Sequence, residues 1–307
     1  MSDETAMPLR VRVFEVGPRD GLQNLQQQLS VEQKLELIAR LAQAGLTDIE
    51  IGSFVHPRWV PQMKETDEVA RRLPESTGVR FWSLVPNLKG FERALEAGAR
   101  RISVVMSATR THNEKNLNRS RAQSLAEIEE IAREAASREL PVRAYLSTAF
   151  GCPYEGRVPE SEIVRLCEML LSFNVAEISL GDTIGSGSPG QVAAICRRVL
   201  VSTGPARLGV HLHDTRGLGL ANAYAALQEG VRTLDSSVGG TGGCPYAPGA
   251  AGNIGTEDLI NMLDGLGIET GVDVDGVIKT TRWLRDSLGI EPSSKYFAYR
   301  NAACGVA

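Results

Sequence analysis

VRAYLSTA (142–149), SEIVRLCEMLLSF (161–173), EISLG (177–181), PGQVAAICRRVLV (189–201) and LGVHLH (208–213) follow one another along the chain. The first, third and fifth are short β-branched or apolar runs. The second and fourth carry apolar residues at a spacing near 3.6, so strand and helix alternate. Working outward, further strand candidates lie upstream at Val11–Val16, Asp48–Phe54, Val79–Val85 and Arg101–Ser107, and one lies downstream at Thr233–Val238. Helical spacing recurs at Val31–Ala44, Ser124–Arg138 and Leu220–Glu229. Eight strand–helix repeats in about 260 residues predict an α/β fold, a (β/α)8 TIM barrel. A doubly wound open sheet shares the alternation but usually has fewer strands, and no strand here is followed by GxGxxG. The chain reads as one catalytic domain over 1–307, with a C-terminal helical extension at 266–307. One or two extra helices are expected near Val272–Leu288. A polar tail with Tyr296–Arg300 then covers the barrel or contacts another subunit.

Several boundaries carry their own signals. Ser30, with Gln33 three residues on, predicts a capping box. Gly45, Gly98 and Gly230 sit where helices stop, as residues able to take the left-handed conformation.

Composition narrows the function classes. The 307 residues hold 33 Lys+Arg against 37 Asp+Glu, a net charge of −4, which gives no cationic footprint for nucleic acid or an anionic membrane. No apolar run is long enough to span a bilayer. The N-terminus has neither the basic and apolar regions of a signal peptide nor the Arg-rich character of a transit peptide. Five cysteines (152, 167, 196, 244, 304) are scattered without a CxxC pair. Reduced thiols and a cytoplasmic location are expected.

Three constellations carry chemistry. His211 and His213 are two apart at the end of the seventh strand, so both imidazoles share a face at the end of the barrel where active sites collect. They form half of a metal site or a pair of hydrogen-bonded rim histidines. GPRDGLQN (17–24) places Arg19 beside Asp20 at the end of the first strand, as a charged pocket turn or an ordinary surface ion pair. Residues 239–255 carry seven glycines around Cys244 and Asn253, a loop whose length and composition suit a lid.

Taken in order, GPRDGLQN, GCPYEG (151–156), SLGDTIG (179–185), HLHDT (211–215) and GGCPYAPGAAGN (242–253) resemble the 3-hydroxy-3-methylglutaryl-CoA lyase family of barrel metallolyases, from about Val11 to Leu263. The resemblance implies a divalent cation, Mg2+ or Mn2+, held by Asp20, His211, His213 and Asn253. It implies retro-Claisen cleavage of an acyl-CoA substrate, with Arg19, Asp20, Glu50, His211 and Cys244 as catalytic residues and Cys244 as the proton donor to the enolate. Arg19, Ser53, His56 and Asp182 are then expected to bind substrate, and a homo-oligomer is expected. The order in which Asp20 and His211 handle the hydroxyl proton stays open. So does the choice between this lyase, a lyase for another 3-hydroxy-3-alkyl thioester, and a Claisen-type acyltransferase or aldolase of the same superfamily. The chain departs from the family's pattern at Thr241, at Ile51-Gly52 and at His56.

Overall fold

A computed structural model describes residues 7–74, 78–244 and 247–303. Eight strands close into a parallel barrel in chain order. They are β1 (Arg12–Glu15), β2 (Asp48–Ser53), β3 (Arg80–Leu84), β4 (Ile102–Ser107), β5 (Val142–Ser147), β6 (Glu177–Asp182), β7 (Leu208–Leu212) and β8 (Thr233–Ser236). Every predicted strand is present, shortened by a residue or two at its ends except β6, which runs one residue further, to Asp182. Between them run α1 (Val31–Gln43), α2 (Thr66–Arg72), α3 (Leu88–Glu96), α4 (Arg110–Leu117), α5 (Arg121–Ala136), α6 (Glu160–Ser172), α7 (Pro189–Thr203) and α8 (Gly219–Gln228). A short hairpin, β9 (Gly243–Cys244) with β10 (Ala247–Ala251), follows β8. The chain then forms α9 (Thr256–Gly265), α10 (Val274–Leu288) and α11 (Lys295–Ala303).

Local chemistry sets the helix ends. At α1, Gln33 N–H donates to Ser30 Oγ (3.3 Å) and Ser30 N–H donates to Gln33 Oε1 (2.8 Å), the reciprocal cap expected there. The same device at Ser120 and Gln123 starts α5 ahead of the predicted Ser124. Polar Arg121 and Gln123 carry no apolar period, so the periodicity misses that turn. Gly45, Gly98 and Gly230 adopt φ of +91°, +81° and +95° after α1, α3 and α8.

The apolar core lies between barrel and helices. Ile49, Met106, Leu146, Ile178 and Leu180 point outward from their strands and are fully buried under helix residues such as Leu37, Ile163 and Val192. Each such side chain contributes about 1.5–3 kcal/mol of transfer free energy. The lumen is different, because charges fill it. Arg143 on β5 stacks 3.9 Å from the ring centroid of Phe14 on β1, on the opposite side of the closed strand order. Its Nε donates to Glu177 (2.6 Å), and its Nη atoms donate to both oxygens of Asp235 (3.1 and 2.6 Å). Arg12 donates to the other Glu177 oxygen.

The expected polar tail is instead the helix α11, which packs on α9. Asp258 of α9 accepts from Ser294 Oγ (3.0 Å) and Tyr296 N–H (2.6 Å), tying down the first turn, and Phe297 is buried. Among the described residues no helix is long and apolar enough to cross a membrane. Cys152, Cys167 and Cys196 are unbridged and buried, and burial pushes the Cys167 thiol up to about 12.

Candidate active site

The carboxyl ends of the strands open onto a cavity of about 470 Å3 whose walls include Arg19, Asp20, Tyr145, His211, His213 and Gly243. Each wall residue is placed by a local feature. After β1 the chain makes one turn of π-helix over Gly17–Gly21, with the N–H groups of Arg19, Asp20 and Gly21 all donating to Val16 O. Such turns concentrate at functional sites because they re-aim side chains. Here the turn swings Arg19 and Asp20 over the barrel mouth. Gly17 and Gly21 make it possible, since a Cβ at Gly21 would meet Thr241 Oγ1 at 2.4 Å.

Arg19 is held from three sides. Its Nε donates to Glu50 Oε2 on β2 (2.5 Å), its Nη1 donates to Asp20 Oδ1, and its guanidinium lies over the Tyr145 ring (5.4 Å to the centroid). Tyr145 OH donates to the same Glu50 oxygen (3.1 Å). Burial opposes the charge on Arg19, but Glu50 and then Asp20 more than offset it, so the guanidinium stays cationic. Burial also works against Asp20 ionisation. Arg19, then His211 and His213, overcome it and hold the carboxyl down at about 2.

Asp20, His211 and His213 bring one ligand atom each to within 4.8 Å of one another. The two imidazole Nε2 atoms face each other at 3.2 Å. Asn253 joins them because residues 252–255 return to the barrel rim: Asp214 N–H donates to Gly252 O (2.6 Å), His213 bridges Asn253, and Ser237 N–H donates to Ile254 O (2.9 Å). Gly252 is required there, since a Cβ would meet Gly242 O at 2.4 Å. Asn253 Nδ2 donates to Asp20 Oδ2 (2.8 Å) and Thr241 O (3.1 Å), while its Oδ1 is buried without a partner. Two imidazole nitrogens, a carboxylate and an orphaned amide oxygen fit a six-coordinate divalent cation. Burial, aided by His211, lowers His213 to about 4, which keeps its nitrogen neutral.

Behind the ligands lies a support that sequence reasoning missed. Asp235 Oδ2 is 3.3 Å from His211 Nδ1, and the bidentate pair with Arg143 anchors that carboxylate. Such a carboxylate fixes the tautomer that leaves Nε2 facing the cavity. Tyr145, Arg143 and Asp235 all sit on strands with their neighbours alternating between core and lumen. Period-2 reading puts Arg143, Tyr145 and Ser147 on one face, which was the available signal. His112, unassigned from sequence, also lines the cavity, with Nδ1 2.7 Å from Ser107 Oγ. Burial lowers its pKa to about 4.

Three of the four remaining candidates stand apart from the cavity wall. Ser53 is buried and its Oγ accepts from Val55 N–H (3.3 Å). His56 is exposed and its Nδ1 accepts from Arg58 N–H (3.2 Å), although Trp59 of the same loop reaches the cavity. Asp182 is fully buried, and its two oxygens accept from Ser186 and Gly187 N–H (2.9 Å each), shaping the loop before α7 rather than facing the cavity. The Cys244 side chain lies outside the described residues. Its backbone, in β9, lies beside Gly243, which lines the cavity.

The departures from the family pattern are locally accommodated. The Thr241 hydroxyl donates to Val238 O (2.9 Å) and meets Ser237 Oγ (2.7 Å). Gly52 makes room for Thr66, whose Oγ1 a Cβ would meet at 2.6 Å.

Two buried carboxylates grip the turn from which the glycine-rich loop departs. Glu15 accepts from Gly17 N–H (2.8 Å), Val238 N–H (2.9 Å) and Thr256 Oγ1 (2.7 Å). Glu257 accepts from Gly239 N–H (3.0 Å) and Thr281 Oγ1 (2.9 Å). Burial pushes both up to about 7 from an ordinary value of 4.5. The folded chain therefore holds more protons than the unfolded chain between those values. That stabilising contribution is complete below about pH 4.5 and is lost as pH rises through about 7. Glu257→Gln removes its share. Between about pH 5.5 and about 8 the wild-type Tm should fall further than the variant's, by on the order of 5 °C. Parallel melting curves at the two pH values would refute the assignment.

Residues 10–284 match the HMGL-like family. Hydroxymethylglutaryl-CoA lyase YngG of Bacillus subtilis is 44% identical over 282 residues, 92% of this chain and 94% of that protein. The crystal structure of the Bacillus subtilis HMG-CoA lyase superposes with a TM-score of 0.94 at 42% identity, over 97% of this chain and 100% of that one. An HMG-CoA lyase from Acinetobacter baumannii, solved in complex with coenzyme A and 3-methylmalate, gives a TM-score of 0.90 at 41% identity, with 95% of each chain covered. The chain belongs to the HMGL-like family and, within it, to the hydroxymethylglutaryl-CoA lyases.

Proposed function

We propose that this chain cleaves 3-hydroxy-3-methylglutaryl-CoA to acetyl-CoA and acetoacetate by a retro-Claisen reaction, with a divalent cation, Mg2+ or Mn2+, at Asp20, His211, His213 and Asn253. One observation carries the reading: a guanidinium locked by Glu50 stands beside a convergent Asp–His–His–Asn donor set at one barrel mouth. When bound, such a cation acts as a Lewis acid that lowers the pKa of an adjacent hydroxyl.

The residues of the chain supply the rest. The substrate's tertiary hydroxyl loses its proton to Asp20 or His211, and Asp235 holds the His211 ring in place through Nδ1. As the C3–O bond becomes a carbonyl, the C2–C3 bond breaks and its electron pair moves into the thioester as an enolate. Arg19 meets the charge growing on the thioester oxygen with fixed N–H donors, in a site where little reorganisation is needed. Protonation at C2 by the Cys244 thiol completes acetyl-CoA, and the other fragment leaves as acetoacetate. The relatives' own activity and the coenzyme A bound to one of them support an acyl-CoA substrate. A cytoplasmic location is supported by the unbridged, buried thiols.

The test is acetyl-CoA formation by metal-stripped protein with and without Mg2+ or Mn2+, alongside Cys244→Ala. Activity should return with the cation, and the variant should fall by about 10²–10⁴-fold while still binding Mn2+. Undiminished turnover in Cys244→Ala would remove the thiol from the mechanism, and full activity without any cation would remove the metal.

A further inference from the structure

At the opposite end of the barrel lies a second cavity of about 450 Å3, walled by Arg10, Arg12, Arg80 and Arg232 together with Thr47 and Thr270. It sits where strands begin: Arg12 opens β1, Arg80 opens β3 and Arg232 precedes β8. Among the described residues no carboxylate lines it. Asp48 and Glu177, fully or almost fully buried beneath it, pair with Arg80 and Arg12. Glu177 is moreover shared with Arg143. Arg10 and Arg232 are exposed and make no ion pair among the described residues. Nearby, burial and then the charge of Arg80 lower the Arg101 pKa against the pull of Asp48, and Arg207, beside Ala206 of the cavity wall, has a buried Nε without a partner. A chain of net charge −4 thus concentrates uncompensated guanidinium groups around one concavity. Crowding shows in Arg12, whose pKa is lowered by burial and by Arg143 and Arg80 against the pull of Asp48.

We propose that this amino-terminal face is an anion site for a small molecule of the pyrophosphate class, separate from the catalytic mouth. Guanidinium forks match phosphate oxygens bidentately, and like-charged neighbours that repel one another gain most from a polyvalent anion. The two uncompensated arginines call for at least two negative charges, and the cavity has room for more than one phosphate group.

The experiment is calorimetric titration of the metal-free, full-length protein with inorganic pyrophosphate at low ionic strength. Four proteins are compared: wild type, Arg232→Gln, Arg10→Gln/Arg232→Gln, and Arg19→Met at the catalytic mouth. Wild type and Arg19→Met should bind one pyrophosphate with similar Kd. The double variant should weaken binding at least tenfold, with Arg232→Gln in between. Arg232 is exposed, so the single variant answers the question should the double variant fail to fold. Absence of saturable binding, equal Kd across the amino-terminal variants, or loss of binding in Arg19→Met would each overturn the site.

Discussion

Arg19→Met is expected to lower kcat by about 10²–10³-fold, the usual cost of removing a fixed donor aimed at developing negative charge. KM should change by less than about threefold, because the donor matters most where charge has grown rather than in the resting thioester. The size follows from pre-organisation. Glu50, Asp20 and the Tyr145 ring already fix the guanidinium, so the folded chain has met the cost of holding it. Methionine fills the space without the charge. The loss should appear with Mn2+ binding intact, since Asp20 keeps its bonds from Gln23 Nε2 (2.7 Å) and Asn253 Nδ2 (2.8 Å). Rates within threefold of wild type would show that another group meets the thioester oxygen.

Arg143→Met should have the largest effect on stability. The wild-type guanidinium is fully buried and joins Glu177 to Asp235. Burial alone would lower its pKa, but Asp235 reverses this and raises it, so the group is charged in the folded chain. Removing one partner of a buried pair typically costs about 3–5 kcal/mol, because the remaining carboxylates stay desolvated without a counter-charge. The Tm should drop by on the order of 10 °C. Adding Asp235→Asn to Arg143→Met should recover part of the loss, as expected for groups that act through each other. A drop of only a degree or two, or strictly additive effects, would mean that the lumen network is not energetically coupled.

These two residues mark what the sequence made legible. The barrel followed from strand–helix alternation because the apolar outer face of each strand, such as Ile178 and Leu180 on β6, packs under amphipathic helices with clear periodicity. Arg19, Asp20, His211 and His213 were legible because they sit at strand ends in short motifs, and a barrel gathers strand ends at one mouth. Arg143 and Asp235 were not, since each reads as a lone polar residue inside a strand. Glu177 of β6 is Arg143's register partner on the adjacent strand, but Arg143 of β5 and Asp235 of β8 are far apart in sequence and become neighbours only across the closed lumen. Ser53, His56 and Asp182 illustrate the reverse. Their positions in the sequence are near the site, but local backbone N–H groups engage their side chains. The helix α11 carries a local signal in Ser294, whose Oγ accepts from Phe297 N–H (3.1 Å), but its first turn is also held by Asp258 of α9, a partner distant in sequence.

The most direct measurement is product identity and stoichiometry. Purified protein with Mg2+ or Mn2+ is incubated with 3-hydroxy-3-methylglutaryl-CoA, and acetyl-CoA, acetoacetate and free coenzyme A are quantified together by chromatography. The mechanism predicts acetyl-CoA and acetoacetate in equal amounts, without free coenzyme A. Release of free coenzyme A with intact 3-hydroxy-3-methylglutarate, or an unchanged thioester under either cation, would contradict carbon–carbon cleavage at this site.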